Sequence, residues 1–278
     1  MVLWIGIAAP REPGNAMVRM MRQTLLTFAG VFLCGFAFGQ PKPAAELSAF
    51  QSEVFSNRQN EHLPFRLLYP TNYNAAKKYP LILFLHGAGA RGNDNVSQLD
   101  EVPQSLLNAA ASERQACFVL APQCPKDDAW AWFPLFPKCQ TAEAQSRASR
   151  LSLEIVDSLV KRLNIDRKRI YVTGLSLGGE GTFDMITRRS HFFAAAVPVC
   201  GIADTNKVAL MKHTSLWIFH GENDDVNSVT YSRDAVKALK VEGGNPRYTE
   251  YPGVKHDCWG KAYQEPGLLD WMFKQRLK

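Results

Sequence analysis

The chain has 278 residues, 46% hydrophobic and 21% charged, with a formal net charge of +6. These proportions suit a globular protein with one large core and exclude a disordered or low-complexity chain. The positive charge is mild and forms no basic block or aromatic-interleaved stripe, so no nucleic-acid partner is expected.

Residues 1–39 read as an N-terminal extension and signal peptide. In "MRQTLLTFAGVFLCGFAFGQPKP" a basic start at Arg22 precedes an apolar run from Leu25 to Phe38. Ala37-Phe38-Gly39 then gives a small-x-small pattern before a polar, proline-containing segment, so cleavage near Gly39 is expected. The run is short and glycine-rich for a permanent membrane span, and the competing reading is a buried N-terminal helix. Bulky Leu33 stands against lipid anchoring at Cys34. Residues 1–16 lack this logic, which leaves Met17, Met20 and Met21 as alternative starts. The expected product is secreted or periplasmic, spans no membrane and comprises one catalytic domain over 40–278. It keeps 29 basic and 25 acidic residues, a net charge of +4.

Beyond the leader, β-rich runs alternate with helical periodicity. Strands are predicted at Phe65–Tyr69, Leu81–Leu85, Phe118–Ala121, Ile170–Thr173, Ala194–Val199, Leu216–Phe219 and Tyr248–Tyr251. Several are continuously apolar, as parallel strands covered on both faces must be. Helices are predicted around Gln104–Ala111, Ala142–Leu163, Gly179–Arg188, Tyr231–Val241 and Leu268–Leu277. Leu151, Ile155, Leu159 and Leu163 mark one face of the second. Strand–helix alternation over about 200 residues implies an α/β fold, a doubly wound and mostly parallel sheet with helices on both faces. "CPKDDAWAWFPLFPKCQ" has neither period, and its Trp130, Trp132, Phe133 and Phe136 form either a packed surface loop or a cleft wall.

Export would expose Cys117, Cys124, Cys139, Cys200 and Cys258 to oxidising conditions. Cys117 and Cys124 flank a predicted strand and would stand about 20 Å apart, beyond disulfide reach. Cys124 with Cys139 and Cys200 with Cys258 are the better pairs, leaving one thiol over. No CxxC or HxxxH spacing occurs, so neither a metal nor an organic cofactor is expected.

The chemistry concentrates at "RIYVTGLSLGGEGTFDM". Gly174-Leu175-Ser176-Leu177-Gly178 fits G-x-S-x-G, between an apolar strand and a helix. That strand–turn–helix elbow lifts a serine hydroxyl to the carboxyl edge of a sheet, with the Leu177 N–H facing a substrate oxyanion. "YPLILFLHGAGARGNDN" offers a second accessible backbone at His86-Gly87-Ala88-Gly89, where the Ala88 N–H completes an oxyanion hole. A phosphate loop is the rival reading, but the lysine and hydroxyl of that motif are missing. Downstream, "WIFHGENDDVNS" presents Asp224 and Asp225, and "YTEYPGVKHDCWG" presents His256. Asp224 is preferred as the acid, because one of two adjacent acids commonly serves the loop as a turn residue. His86 and His220 read as structural, and His62, His191 and His213 as surface or hydrogen-bonded polar residues. Glu180 and Asp184 read as ordinary helix chemistry.

Taken together, "LHGAGARGNDN", "FVLAPQCP", "RIYVTGLSLGGEGT", "VPVCG", "WIFHGENDD" and "YPGVKHDCW" resemble the α/β-hydrolase superfamily. The chain is most similar to bacterial serine esterases of the predicted-peptidase, phospholipase/carboxylesterase and feruloyl-esterase-like group. The resemblance runs from about Tyr69 to the C-terminus. It implies Ser176, Asp224 and His256 as catalytic triad, with oxyanion donors at Ala88 and Leu177. Glu180 departs from it, standing where relatives often carry an aromatic residue. The expected activity is carboxylic-ester hydrolysis through an acyl-serine, on a small-molecule or polysaccharide-linked ester. Trp130, Trp132 and Trp259 are candidate substrate-binding residues. The alternatives are a serine peptidase of the prolyl-oligopeptidase-like type and a non-catalytic binding protein on the same fold.

Overall fold

The computed structural model describes residues 48–133 and 140–277. The predicted signal segment, Phe136 and Cys139 lie outside them. The strands are β1 (Phe50–Ser56), β2 (His62–Leu68), β3 (Tyr79–Leu85), β4 (Phe118–Pro122), β5 (Ile165–Leu175), β6 (Ala195–Val199), β7 (Ser215–Gly221) and β8 (Arg247–Tyr251). The helices are α1 (Gln104–Ala111), α2 (Arg147–Arg162), α3 (Leu177–Arg188), α4 (Val208–Met211), α5 (Thr230–Val241), α6 (Trp259–Ala262) and α7 (Leu268–Lys274). One eight-stranded sheet runs β1-β2-β4-β3-β5-β6-β7-β8. It is antiparallel where β2 meets β1 and β4, and parallel from β4 across to β8.

The burial pattern follows from that topology. Every residue of β3 and of β6 is buried, because helices cover both faces of the central strands. Leu81, Leu83 and Leu85 of β3 point into a core shared with α2, α3, α4 and α5. Ile82 and Phe84, alternating with them, enter a second core built with α1, α6 and α7. β2 alternates instead, burying Leu63, Phe65 and Leu67 and leaving the residues between them more exposed. On α2 the predicted stripe of Leu151, Ile155 and Leu159 is buried, at no more than 1% exposure.

Three differences from the predicted elements have local causes. β1 went unpredicted because "FQSEVFS" has little apolar alternation; backbone pairing with β2 and the Asn95 amide on the Glu53 carbonyl hold it at the sheet edge. α2 starts at Arg147 rather than near Ala142. The Ser146 hydroxyl caps it by accepting the Ser149 N–H, and the buried Asp128 carboxylate takes the Ala148 N–H. Thr141 and Ala142 are drawn away, to Asp204 Oδ2 at 2.9 Å and the Trp132 carbonyl at 2.8 Å. β5 extends from Ile165 to Leu175, longer than its apolar centre, because Tyr79 pairs with Ile165 before the register shift.

Parallel pairing sets Leu85 beside Gly174 and Leu175 beside Val199, so the ends of β3, β5 and β6 share one edge. The turn after β5 passes so close to that edge that a Cβ on Gly178 would lie 1.9 Å from the Leu85 carbonyl oxygen, and one on Gly174 would lie 2.4 Å from the Gly178 oxygen. Backbone cannot yield there as a flexible side chain would. Gly178→Ala should therefore lower the urea-unfolding free energy by ~3 kcal/mol or more, at the upper end of overpacking costs. Gly260→Ala, in α6 with open space around it, should change it by no more than ~1 kcal/mol, in the stabilising direction.

Candidate active site

Ser176 sits between β5 and α3 with φ +52° and ψ −118°. This region is sparsely populated for an L-residue and costs on the order of 1–3 kcal/mol. The turn is held by the Ser176 N–H on the Val199 carbonyl at 2.9 Å and the Glu180 N–H on the Ser176 carbonyl at 3.0 Å. It projects the side chain out of the sheet edge. The Ser176 hydroxyl donates to His256 Nε2 at 2.8 Å, and His256 Nδ1 lies 2.8 Å from Asp224 Oδ2. A carboxylate can only accept, so Nδ1 carries the proton and Nε2 presents its lone pair to the serine.

Asp224 is held from every side. Its Oδ1 accepts the N–H groups of Val226 and Asn227, at 2.9 and 2.8 Å. Its Oδ2 receives His256 Nδ1 and lies 3.0 Å from His220 Nε2, which also meets the Asn227 carbonyl at 2.8 Å. Burial pushes the carboxyl's pKa up, but the bonds from His220 and then His256 outweigh it and hold Asp224 well below the usual range. Asp225 points outward to Lys255 at 2.9 Å. Of the two adjacent acids, Asp224 is the one that meets the imidazole.

The N–H groups of Ala88 and Leu177 donate to no backbone carbonyl among the described residues, and Ala88 lies exposed at the end of β3. The loop carrying Ala88 is fixed by two contacts that motif reading missed. The Gly87 N–H donates to the Glu101 carboxylate, and the buried His86 imidazole takes the Cys124 N–H on Nε2 and gives Nδ1–H to the Gly87 carbonyl. His220 was equally unrecognised as an Asp224 partner. Its spacing of four from that residue, at the end of one strand, was the available signal.

Of the three tryptophans proposed to meet substrate, Trp130 is corrected. It is fully buried against α3, and its indole N–H donates to the His86 carbonyl at 2.9 Å, so it is part of the core. Trp132 is 45% exposed, and Trp259 stands edge-on to His256 with ring centres 5.7 Å apart. His62 bonds Ser56, and His191 stacks on His213; both contacts are on the surface.

The expected Cys200–Cys258 disulfide is also corrected. Both are buried free thiols, and they neighbour each other without a disulfide bond. Cys117 and Cys124 are free and buried too. Among the described residues, Cys200, Asp224 and His256 bring potential metal-ligand atoms within 4.8 Å of one another. Those atoms are otherwise committed. Both imidazole nitrogens and both carboxylate oxygens are hydrogen-bonded, while burial and the Cys258 neighbour raise the Cys200 thiol well above its usual range. The set fits proton transfer better than metal ligation.

A family model described as Phospholipase/Carboxylesterase matches residues 71–265. A thermostable esterase of known structure is similar at 37% identity with a TM-score of 0.75, over 84% of this chain and 64% of that one. The bifunctional acetylxylan esterase/xylanase XynS20E of Neocallimastix patriciarum is 33% identical over 73 residues, 26% of this chain and 11% of that protein. A Bacteroides ovatus chain named for dipeptidyl aminopeptidase IV shares the fold at 16% identity, with a TM-score of 0.62 over 82% of this chain and 36% of that one. The chain thus spans less than two thirds of each of these relatives. The fold anticipated from the motifs, that of the α/β-hydrolases, is the one present.

His86 generates a pH prediction. Burial, opposed by its bond to the Gly87 carbonyl, lowers its pKa from 6.5 to about 4. Between those values the unfolded chain binds a proton that the folded chain refuses, so stability falls as the pH drops from 6.5 toward 4. The loss should approach ~3 kcal/mol, at ~1.4 kcal/mol per pH unit. His86→Gln should unfold more easily at pH 7 yet show a shallower decline through that window in urea titrations.

Proposed function

The chain belongs to the phospholipase/carboxylesterase family, and we propose that it is an exported serine hydrolase of carboxylic esters. An α/β-hydrolase of the esterase kind needs a nucleophile, a base and an oxyanion site at the carboxyl edge of its sheet. The observation that carries this reading is the continuous relay from Ser176 Oγ through His256 to Asp224, with 2.8 Å at both links.

Serine alone is inert near neutral pH. In the proposed cycle His256 Nε2 removes the Ser176 proton as Oγ attacks the ester carbonyl. Asp224, ionised, anchored by three hydrogen bonds and backed by His220 Nε2 at 3.0 Å, stabilises the imidazolium and keeps the ring from rotating. The carbonyl oxygen becomes an anion received by the N–H groups of Ala88 and Leu177. Collapse returns the proton from Nε2 to the departing alcohol and leaves an acyl-serine. Water, deprotonated by the same imidazole, then releases the acid.

The similarity to an esterase and to an acetylxylan esterase/xylanase supports esters over amides, with a polysaccharide-linked or small-molecule ester as substrate. Export is proposed from the leader: Arg22, the apolar run to Phe38 and the small residues Ala37 and Gly39. No helix of the described residues is long and apolar enough to cross a membrane.

Ser176→Ala is expected to lower kcat/KM on p-nitrophenyl acetate by a factor of about 10⁴–10⁶ with unchanged circular dichroism, and Asp224→Asn by about 10⁴. A fluorophosphonate probe should label the wild type at Ser176 and leave Ser176→Ala unlabelled. Retained turnover in Ser176→Ala would refute the assignment.

A further inference from the structure

Glu180 stands one helical turn beyond Ser176, on the first turn of α3. Its Oε1 meets the Asn227 side-chain amide, and the Asn227 N–H bonds the Asp224 that partners His256, so the carboxyl lies toward the Ser176–His256–Asp224 relay. There α3 packs against the backbone after β6, closely enough that a Cβ on Gly201 would meet the Glu180 nitrogen at 2.7 Å. From the other side comes Asn227, whose backbone N–H holds Asp224.

The other acids near this edge have firm partners. Glu101 takes the Gly87 N–H, Asp184 meets Arg188 at 3.1 Å, and Asp204 takes the Thr141 N–H at 2.9 Å. Among the described residues the Glu180 carboxyl has only the Asn227 amide, at 3.3 Å on one oxygen. That amide makes its shorter bond, 2.8 Å, to the Cys200 carbonyl. Among the described residues no Lys, Arg or His pairs with Glu180. Burial, partly offset by the Asn227 bond, pushes its pKa up to about 7.

A first-turn acid gains only a modest stabilisation from the helix dipole when exposed. That is less than the cost of burying a carboxylate short of partners, so helix chemistry does not account for an acid here. The residue is nevertheless not sealed, being partly exposed as Ser176 is. An under-bonded acid in such a place marks a binding function.

We propose that the Glu180 carboxyl is the polar anchor of a substrate subsite beside Ser176, receiving a hydrogen bond from a hydroxyl or ammonium group on the ester. The proposal rests on the esterase reading above and deepens it. Glu180 would thereby set which esters are preferred, while Ser176 and His256 perform the same chemistry on all of them. A carboxylate serves both donors, whereas a glutamine carbonyl serves a hydroxyl without offering charge to an ammonium.

The test compares wild type, Glu180→Gln and Glu180→Leu on four esters in a pH-stat. They are ethyl butanoate as apolar reference, ethyl 3-hydroxybutanoate, ethyl 3-aminobutanoate and glycerol 1-butanoate. In Glu180→Leu, kcat/KM relative to ethyl butanoate should fall about tenfold for at least one donor-bearing ester, the effect of one lost hydrogen bond in a recognition site. Glu180→Gln should restore the ratio if the donor is a hydroxyl and fail to restore it if the donor is an ammonium. Ratios within twofold across all three proteins, or equal losses on all four esters, overturn the proposal. In that case fluorophosphonate labelling of Ser176 and wild-type turnover of ethyl butanoate leave the esterase reading standing. No wild-type turnover of any ester overturns both.

Discussion

The backbone approach beneath Ser176 is the constraint on which the rest of this edge depends. The Leu85 carbonyl at the end of β3 lies where any side chain at Gly178 would have to be, and the Val199 carbonyl of β6 is bonded to the Ser176 N–H. Between them these contacts hold a serine at φ +52°, a conformation it would otherwise leave. The strain is borne by the packing of three parallel strands, because a close-packed edge has no slack into which the turn could relax. If the turn relaxed, the hydroxyl would swing away from the imidazole. It would also carry with it the Leu177 N–H, the first amide of α3.

His256 sits where two loops meet, one after β7 and one after β8. Its loop follows β8, while Asp224 follows β7, and parallel pairing of Gly221 with Tyr251 sets their roots side by side. Further backbone bonds, from Asn223 to the Val254 carbonyl and from Glu222 to the Tyr251 carbonyl, fasten the acid loop to the base loop. His220 then braces Asp224 from within the core, with its other nitrogen on the Ser232 hydroxyl. The proposed acid is thus supported by His220 and by the backbone of Val226 and Asn227 as well as by the imidazole it orients. Its low proton affinity comes from that support, since burial alone would push the opposite way.

Much of this was legible in the chain. Continuous apolar runs announced β3, β4 and β6, and spacing of four announced α2, because buried strands and one-sided helices require those patterns. Gly174 and Gly178 around Ser176 announced the elbow for the same reason: only glycine fits the approach. What escaped notice was set by distant partners. β1 is a strand because β2 pairs with it. Trp130 looked like a cleft aromatic from its proline-rich surroundings, yet the His86 carbonyl draws its indole into the core. Cys200 and Cys258 were well placed to pair by order in the chain, but meet as buried thiols.

The order of strands and helices and the residue types at the elbow were therefore determined by the sequence alone, since they answer to local geometry and to which faces must leave water. Which acid faces the imidazole was decided only in three dimensions, where Asp224 turns inward to two histidines and Asp225 outward to Lys255. So was the setting of Glu180, an ordinary first-turn acid by position and an under-bonded one by surroundings. A side chain's charge, exposure and partners belong to the neighbours that folding brings to it, and those neighbours come from far along the chain, 80 residues away in the case of Ser176 and His256.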